Sequence, residues 1–161
     1  MSVQLLATKF FAPPPRAELV PRPCLREGLN TGCQRKLTLV CAPAGFGKTT
    51  LLAEWVRETR LPVAWVSLDV SDNEPTQFWT YVLTALGRLQ TGLGETSLAL
   101  HHAPQPVPIE AILTALINDL SAMEGGHTGD PGLHEGQEPP KKGPYILVLD
   151  DYHVIEAQAI H

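Results

Sequence analysis

The sequence lacks several features that would assign its class at once. It has only three cysteines, Cys24, Cys33 and Cys41, and no CxxC pair, so we expect neither a disulfide framework nor a zinc site. Cys41 stands in an apolar run, which predicts a small buried hydrophobic residue. A basic excess is also missing, because the formal net charge is -5, and this argues against a broad nucleic-acid-binding surface on the chain.

Membrane and export signals are equally scarce. No apolar run approaches the ~20 residues that a membrane-spanning helix needs. The first residues, "MSVQLLATKFFAPPPR", show no cationic start followed by a long apolar core, so no signal peptide is expected. The simplest prediction is a cytoplasmic protein without membrane contact. With 161 residues, 43% of them apolar, the chain is long enough for one domain with a core.

The order of apolar segments predicts an α/β fold. Residues 1–34 indicate a proline-rich arm followed by a short helix at Pro23–Gly32. Residues 35–161 alternate short apolar runs with helical patterns, which is typical of a parallel sheet with flanking helices. The predicted strands are Leu37–Cys41, Val63–Leu68 and Tyr145–Leu149, and the predicted helices are 47–60, one beginning near Pro75 with Asp72 or Asn73 as its cap, and one at 109–120.

One segment departs from this pattern. Residues 124–143 consist almost entirely of glycine, proline, histidine and charged residues. Such a composition cannot bury enough apolar surface to order itself, so the segment is predicted to be a disordered insertion. The final residues, "EAQAIH", are predicted to open a helix.

The stretch "APAGFGKTT" has the form of a phosphate-binding loop between a strand and a helix. Its glycines let consecutive backbone N–H groups turn towards an anion, and the following helix adds its own unpaired N–H groups. The first motif position closes a turn and requires only a small residue, which alanine provides. Lys48 would place a positive charge on the terminal phosphates. The candidate nucleotide-binding residues are Ala42, Pro43, Ala44, Gly45, Phe46, Gly47, Lys48, Thr49 and Thr50.

The second motif is "YILVLDD", an apolar run that ends in two acids. A buried strand of this kind places its final acid at the carboxyl edge of the sheet, where ligands bind in α/β folds. We therefore expect Asp150 to hold Mg²⁺ together with the hydroxyl of Thr49, directly or through water. Asp151 is the candidate general base for an attacking water, so it and Lys48 are the candidate catalytic residues.

With both motifs in place, the chain resembles the beginning of the MalT-like, LuxR-type ATP-dependent transcriptional regulators, which are signal-transduction ATPases of the STAND class. The segments that carry the resemblance are "TKFFAPPPRAELVPRPCL", "KLTLVCAPAGFGKTTLLAEW", "VAWVSLDVSDNEPTQFWTYVLTAL" and "YILVLDDYHVI". The resemblance implies a P-loop NTPase fold of the ASCE type that binds ATP and Mg²⁺ and hydrolyses ATP slowly. It also implies self-association of the full-length protein and DNA binding through a C-terminal domain that lies outside this chain.

Two further expectations come from the resemblance alone. The stretch before the first helix lines the adenine in related ATPases, which makes Val20 and Arg22 candidates here. In this class another strand, which follows the acid-bearing strand in sequence, lies between that strand and the phosphate-loop strand. The chain ends at His161, before such a strand. The domain is therefore expected to be incomplete at its C-terminus, as in a fragment of a longer regulator, and its two motif strands are not expected to pair.

Two other functions remain open at this point. A small P-loop kinase would also use the phosphate loop, although it rarely needs a second acid after Asp150 and requires arginines in a lid. A truncated remnant that binds nucleotide weakly or not at all would keep the motifs without the activity.

Overall fold

The computed structural model describes residues 5–14, 20–90, 92–105, 107–124 and 144–160. Five α-helices and two strands follow one another in these ranges, with short 3₁₀ helices between them. The α-helices are α1 (Pro23–Gly32), α2 (Lys48–Glu58), α3 (Pro75–Gly87), α4 (Glu95–His101) and α5 (Ile109–Glu124). The strands are β1 (Val63–Ser67) and β2 (Ile146–Asp150).

The two strands form a parallel pair and confirm the α/β class. Val63 lies opposite Ile146, and Ser67 lies opposite Asp150, so both strands reach the carboxyl edge of the sheet together. The pair continues one step further, because the N–H of Leu68 donates to the carbonyl oxygen of Asp150 at 3.0 Å. Three helices, α3 to α5, lie between the two strands in sequence, as a parallel crossover requires.

The predicted strand Leu37–Cys41 is wrong for the described structure. These residues form no strand, and the side chains of Leu37 and Leu39 are each 82% exposed. A strand exists only through backbone pairing, and β2 pairs within the described residues with β1 alone. Because one of the two motif strands is not formed in the described residues, their expected lack of pairing stays a prediction. Cys41, predicted to be buried, is exposed for the same reason.

The main core lies between β1 and the helices that follow it. The aromatic and aliphatic face of α3 packs against β1 and α4, as its helical spacing predicts, and α5 joins the same core by packing against α4. The buried apolar residues of this core include Ala64, Val66, Leu68, Phe78, Tyr81, Val82, Leu83, Leu86, Leu93, Ile112, Leu116 and Ile155. The sheet is therefore held on the α3 side by ordinary apolar packing.

Several helix ends differ from the prediction. Glu74, and not Asp72 or Asn73, caps α3 by accepting from the N–H of Gln77, with Pro75 in the first turn as expected. Helix α4 is too short to produce a recognisable apolar period. No helix begins after Val154 within the described residues, which end in a turn. The predicted insertion at 124–143 lies outside the described residues, apart from Glu124 at the end of α5.

A buried ion pair attaches the N-terminal arm to the loop after β1. Lys9 lies in a 3₁₀ helix, Ala7–Phe10, and its Nζ contacts Asp72 at 2.6 Å and Asp69 at 2.8 Å. Asp72 is fully buried and also accepts from the N–H of Asp69 and from the amide of Gln77. The arm is thereby part of the folded unit.

Replacement of Lys9 by methionine should leave the buried carboxylate of Asp72 without its cation. Breaking a buried pair in this way costs about 3 kcal/mol of unfolding free energy. Urea denaturation at pH 7 measures the loss, and Lys36→Met, at an exposed lysine, is the matched control.

The same variant should change the response to acid. The hydrogen bond from Lys9, followed by that from Ser71, lowers the pKa of Asp69 from 3.8 to about 2. A lowered pKa stabilises the fold above the unfolded value, and the stabilisation is lost as the pH falls from 3.8 to about 2. Unfolding free energy should therefore fall less steeply over this window in Lys9→Met. An unchanged slope together with unchanged stability at pH 7 would contradict the role of the ion pair.

Candidate functional site

The predicted phosphate loop has the backbone that its glycines allow. Gly45 and Gly47 take positive φ values of 83° and 76°, in the left-handed region that other residues rarely adopt. Helix α2 begins at Lys48, and Gly47 caps it without any side-chain hydrogen bond. The N–H groups of the first helical turn therefore have no side-chain cap, as an anion-binding helix start requires.

Two cationic side chains contact the carbonyl groups of this loop. The Nζ of Lys48 donates to Ala42 at 2.8 Å and to Pro43 at 3.3 Å, so the side chain folds back over the loop. Arg22 donates from Nη1 to the carbonyl oxygen of Phe46 at 2.8 Å. Both cationic side chains therefore lie against the loop.

The acid at the end of β2 reaches the helix that follows the loop. The hydroxyl of Thr49 donates to Oδ1 of Asp150 at 2.9 Å, across 101 residues of sequence. Asp150 is only 5% exposed. Burial raises the pKa of its carboxyl, the hydrogen bond from Thr49 and the charge of Lys48 oppose this, and the charge of Asp151 adds to it. A buried carboxylate with a raised pKa lacks full compensation for its charge.

Asp151 follows in an unusual conformation. Its φ is 57°, the one positive value at a non-glycine residue in the described chain. Its side chain is half exposed, and Oδ1 lies 3.7 Å from Nδ1 of His153. Sequence reasoning missed His153, for which the "DDYH" spacing was the only signal.

Four of the predicted site residues therefore meet at one edge of the sheet: Lys48, Thr49, Asp150 and Asp151. The remaining loop residues, from Ala42 to Gly47, lie exposed or half-buried beside them, and Thr50 lies half-buried in the first turn of α2. Arg22 reaches the loop through Phe46, whereas Val20 is exposed and no described contact connects it with the loop. The adenine role of Val20 and Arg22 stays a prediction.

The oxygen atoms at this edge are suitable ligands for a magnesium ion. Mg²⁺ takes oxygen ligands, and in nucleotide sites it uses one or two protein oxygens together with phosphate and water. Thr49 and Asp150 offer two such oxygens side by side. A bound cation would compensate the negative charge of the buried Asp150 carboxylate. The described residues contain no group of three or more His, Cys, Asp or Glu side chains that could cage a metal without a phosphate ligand.

Comparison with known proteins agrees with the resemblance drawn from the motifs. The chain is 33% identical over 157 residues to HTH-type transcriptional regulator MalT of Yersinia enterocolitica, and equally to the MalT proteins of Yersinia pestis and Yersinia pseudotuberculosis. The match covers 98% of this chain. The resemblance to MalT-like regulators is confirmed.

The match covers only a small part of the MalT regulators. The chain spans about 15% of the length of the MalT regulators, so the activity and partners of those whole proteins do not pass to it directly. No family model matches the sequence. Across the described ranges, no helix has the length and apolar character needed to cross a bilayer.

The raised pKa of Asp150 predicts that Asp150→Asn stabilises the nucleotide-free chain at neutral pH. The fold disfavours the charged carboxyl above its raised pKa, whereas below the ordinary value of 3.8 the group is protonated in both states and the cost disappears. We expect the melting temperature of the variant to lie above that of wild type at pH 7.

The gain should shrink as the pH falls to 3.8, which a series of thermal melts would follow. Glu110→Gln, at an exposed acid of α5, is the control and should give no such gain. A variant at Asp150 that melts at or below the wild-type temperature at pH 7 would show that burial of this carboxylate costs the fold nothing.

Proposed function

We propose that this chain is an ATP-binding switch module of a MalT-like transcriptional regulator, with a P-loop NTPase fold of the STAND class. The observation that carries the proposal is the hydrogen bond between Thr49 and Asp150 at 2.9 Å. It joins two motifs that are far apart in sequence, and a shared nucleotide with its metal ion is the ligand for which the two are needed together.

The phosphate loop would bind the triphosphate. Its left-handed glycines and the uncapped start of α2 direct backbone N–H groups at an anion, and Lys48 adds a full positive charge. The ammonium of Lys48 lies over the loop, where it contacts two carbonyl oxygens, and would bind an oxygen of the terminal phosphates. Arg22 would hold the loop at Phe46.

Thr49 and Asp150 would hold the magnesium ion, which neutralises charge on the phosphates when bound. Asp151 stands at the same edge with its carboxylate half exposed to solvent. It would orient a water and accept a proton from it, which is the role of a general base in slow hydrolysis. A slow step suits a switch whose state depends on which nucleotide is bound.

The wider role rests on the relatives, which are named as HTH-type transcriptional regulators. In a longer protein of that kind, we propose that ATP binding in this module favours self-association. DNA would be contacted by a C-terminal helix-turn-helix domain, because this chain carries a net charge of -5 and no helix-turn-helix pattern. Such a regulator would act in the cytoplasm.

Calorimetric titration of the 161-residue chain with ATP and Mg²⁺ tests the proposal. Wild type should bind, and Lys48→Ala should lose at least about tenfold in affinity, equivalent to about 1.4 kcal/mol. Lys36→Ala removes an exposed lysine from the segment before the loop and should bind as wild type does. No affinity with or without Mg²⁺ would favour a remnant, and turnover of a small phosphate acceptor would favour a kinase.

A further inference from the structure

Asn73 makes four hydrogen bonds from a single side chain, and three of them connect the loop after β1 with the segment after Asp151. It lies in the 3₁₀ helix Val70–Asn73 that follows β1. Its Nδ2 donates to the carbonyl oxygens of Val154 at 2.7 Å and Val70 at 3.2 Å. Its Oδ1 accepts from the N–H groups of Glu156 at 2.6 Å and Ala157 at 3.0 Å. These bonds use both donors and both lone pairs of the amide.

Three of the four bonds reach the segment that follows the acid pair. That segment begins with a 3₁₀ helix, Tyr152–Val154, for which Asp151 is the N-terminal cap residue. Val154 ends this helix, and Glu156 and Ala157 follow it, so the amide of Asn73 fixes the chain where it leaves the 3₁₀ turn. The ring of Tyr152 also packs edge-on against Phe78 of α3, which supports the turn from the other side.

The conformation of Asp151 needs such support. Its positive φ costs on the order of 1 kcal/mol, less for Asp than for most residues with a side chain, and such residues persist where the surrounding contacts determine the backbone. Within the described chain, Asn73 is the side chain that makes the most bonds to the residues after Asp151. Relaxation of φ would change the direction in which the carboxylate of Asp151 leaves the backbone.

Asn73 is itself held by the residue before it. Asp72 is completely buried and bonded to Lys9, to the N–H of Asp69 and to Gln77. The loop that carries Asn73 therefore has little freedom to follow the segment after Asp151 if that segment moves. Because the amide group of Asn73 is fixed, it can hold the segment after Asp151 in one position.

We propose that Asn73 is a positioning residue that sets the backbone of Asp151, and through it the direction of the candidate general base. The catalytic part of this inference rests on the proposed ATPase function, whereas the backbone part does not. Asn73 touches neither the phosphate loop nor Asp150 in any described contact, so its effect should fall on hydrolysis and not on nucleotide affinity.

The first experiment uses NMR on the nucleotide-free 161-residue chain and needs no ATP. In Asn73→Ala, amide exchange at residues 156 and 157 should accelerate at least about tenfold as the opening free energy falls. Scalar couplings and chemical shifts at Asp151 should show loss of the positive φ. Asn73→Asp keeps the acceptor oxygens and loses the donors, so it should retain exchange protection at these amides better than alanine does.

Gln90→Ala is the matched control. Its amide accepts from the Tyr145 hydroxyl at 2.7 Å, at the opposite end of β2, so the variant removes a comparable bond without touching the segment after Asp151. It should leave the φ of Asp151 unchanged. Unchanged φ and unchanged amide exchange in Asn73→Ala would overturn the proposal, whatever the chain does with ATP.

The second experiment separates catalysis from binding. Asn73→Ala should lower the rate of ATP hydrolysis about 10- to 100-fold, the effect of a misplaced catalytic group, while the ATP affinity stays within about twofold of wild type. In an Asp151→Ala background the same substitution should cause no further loss, because Asn73 acts through Asp151. An equal loss in both backgrounds would overturn the catalytic part. Failure of wild type to bind ATP would instead refute the proposed function, and the NMR result would still decide the backbone part.

Discussion

The hydrogen bond from Thr49 to Asp150 is the contact on which the rest of the site depends. Thr49 belongs to the first turn of α2, and Asp150 ends β2, so the bond fixes the phosphate loop against the carboxyl edge of the sheet. The parallel register places Asp150 there, opposite Ser67, because both strands run the same way and end at the same level. Burial raises the pKa of the Asp150 carboxyl at this edge, and a cation bound there would lower it again.

Side-chain packing, and not a backbone ladder, holds α2 near β2. Leu51 and Trp55 of α2 form a small core with Leu29 of α1, and Val40 and Ile146 pack against it. The indole of Trp55 also donates to the side-chain carbonyl of Asn30 at 2.8 Å. Because the residues before the loop have no strand partner, the loop depends on side-chain contacts: this small core, the packing of Ala53 with Trp65 and Val148, and the hydrogen bonds of Arg22 and Thr49. Ligand contacts that bridge Thr49 and Asp150 would therefore add stability to the junction.

The sequence was sufficient for features that local physics determines. The left-handed glycines, the start of α2 at Lys48 and the acid at the end of β2 all follow from residue type and spacing. The prediction of a strand at Leu37–Cys41 was wrong because a strand needs a pairing partner, which an apolar pattern cannot reveal. The roles of Lys9 and Asn73 were also out of reach, since each acts on residues more than 60 positions away through side-chain hydrogen bonds. Polar residues in such contacts leave no periodic signal.

A double-mutant cycle of Thr49→Val and Asp150→Asn tests whether these two residues share a magnesium site. Calorimetry measures how the ATP affinity of each variant depends on Mg²⁺. Mg²⁺ should strengthen ATP binding to wild type, each substitution should remove most of this gain, and the double variant should lose little more than either single one. ATP affinity that is independent of Mg²⁺ in wild type, or additive losses in the double variant, would contradict a shared metal site at this contact.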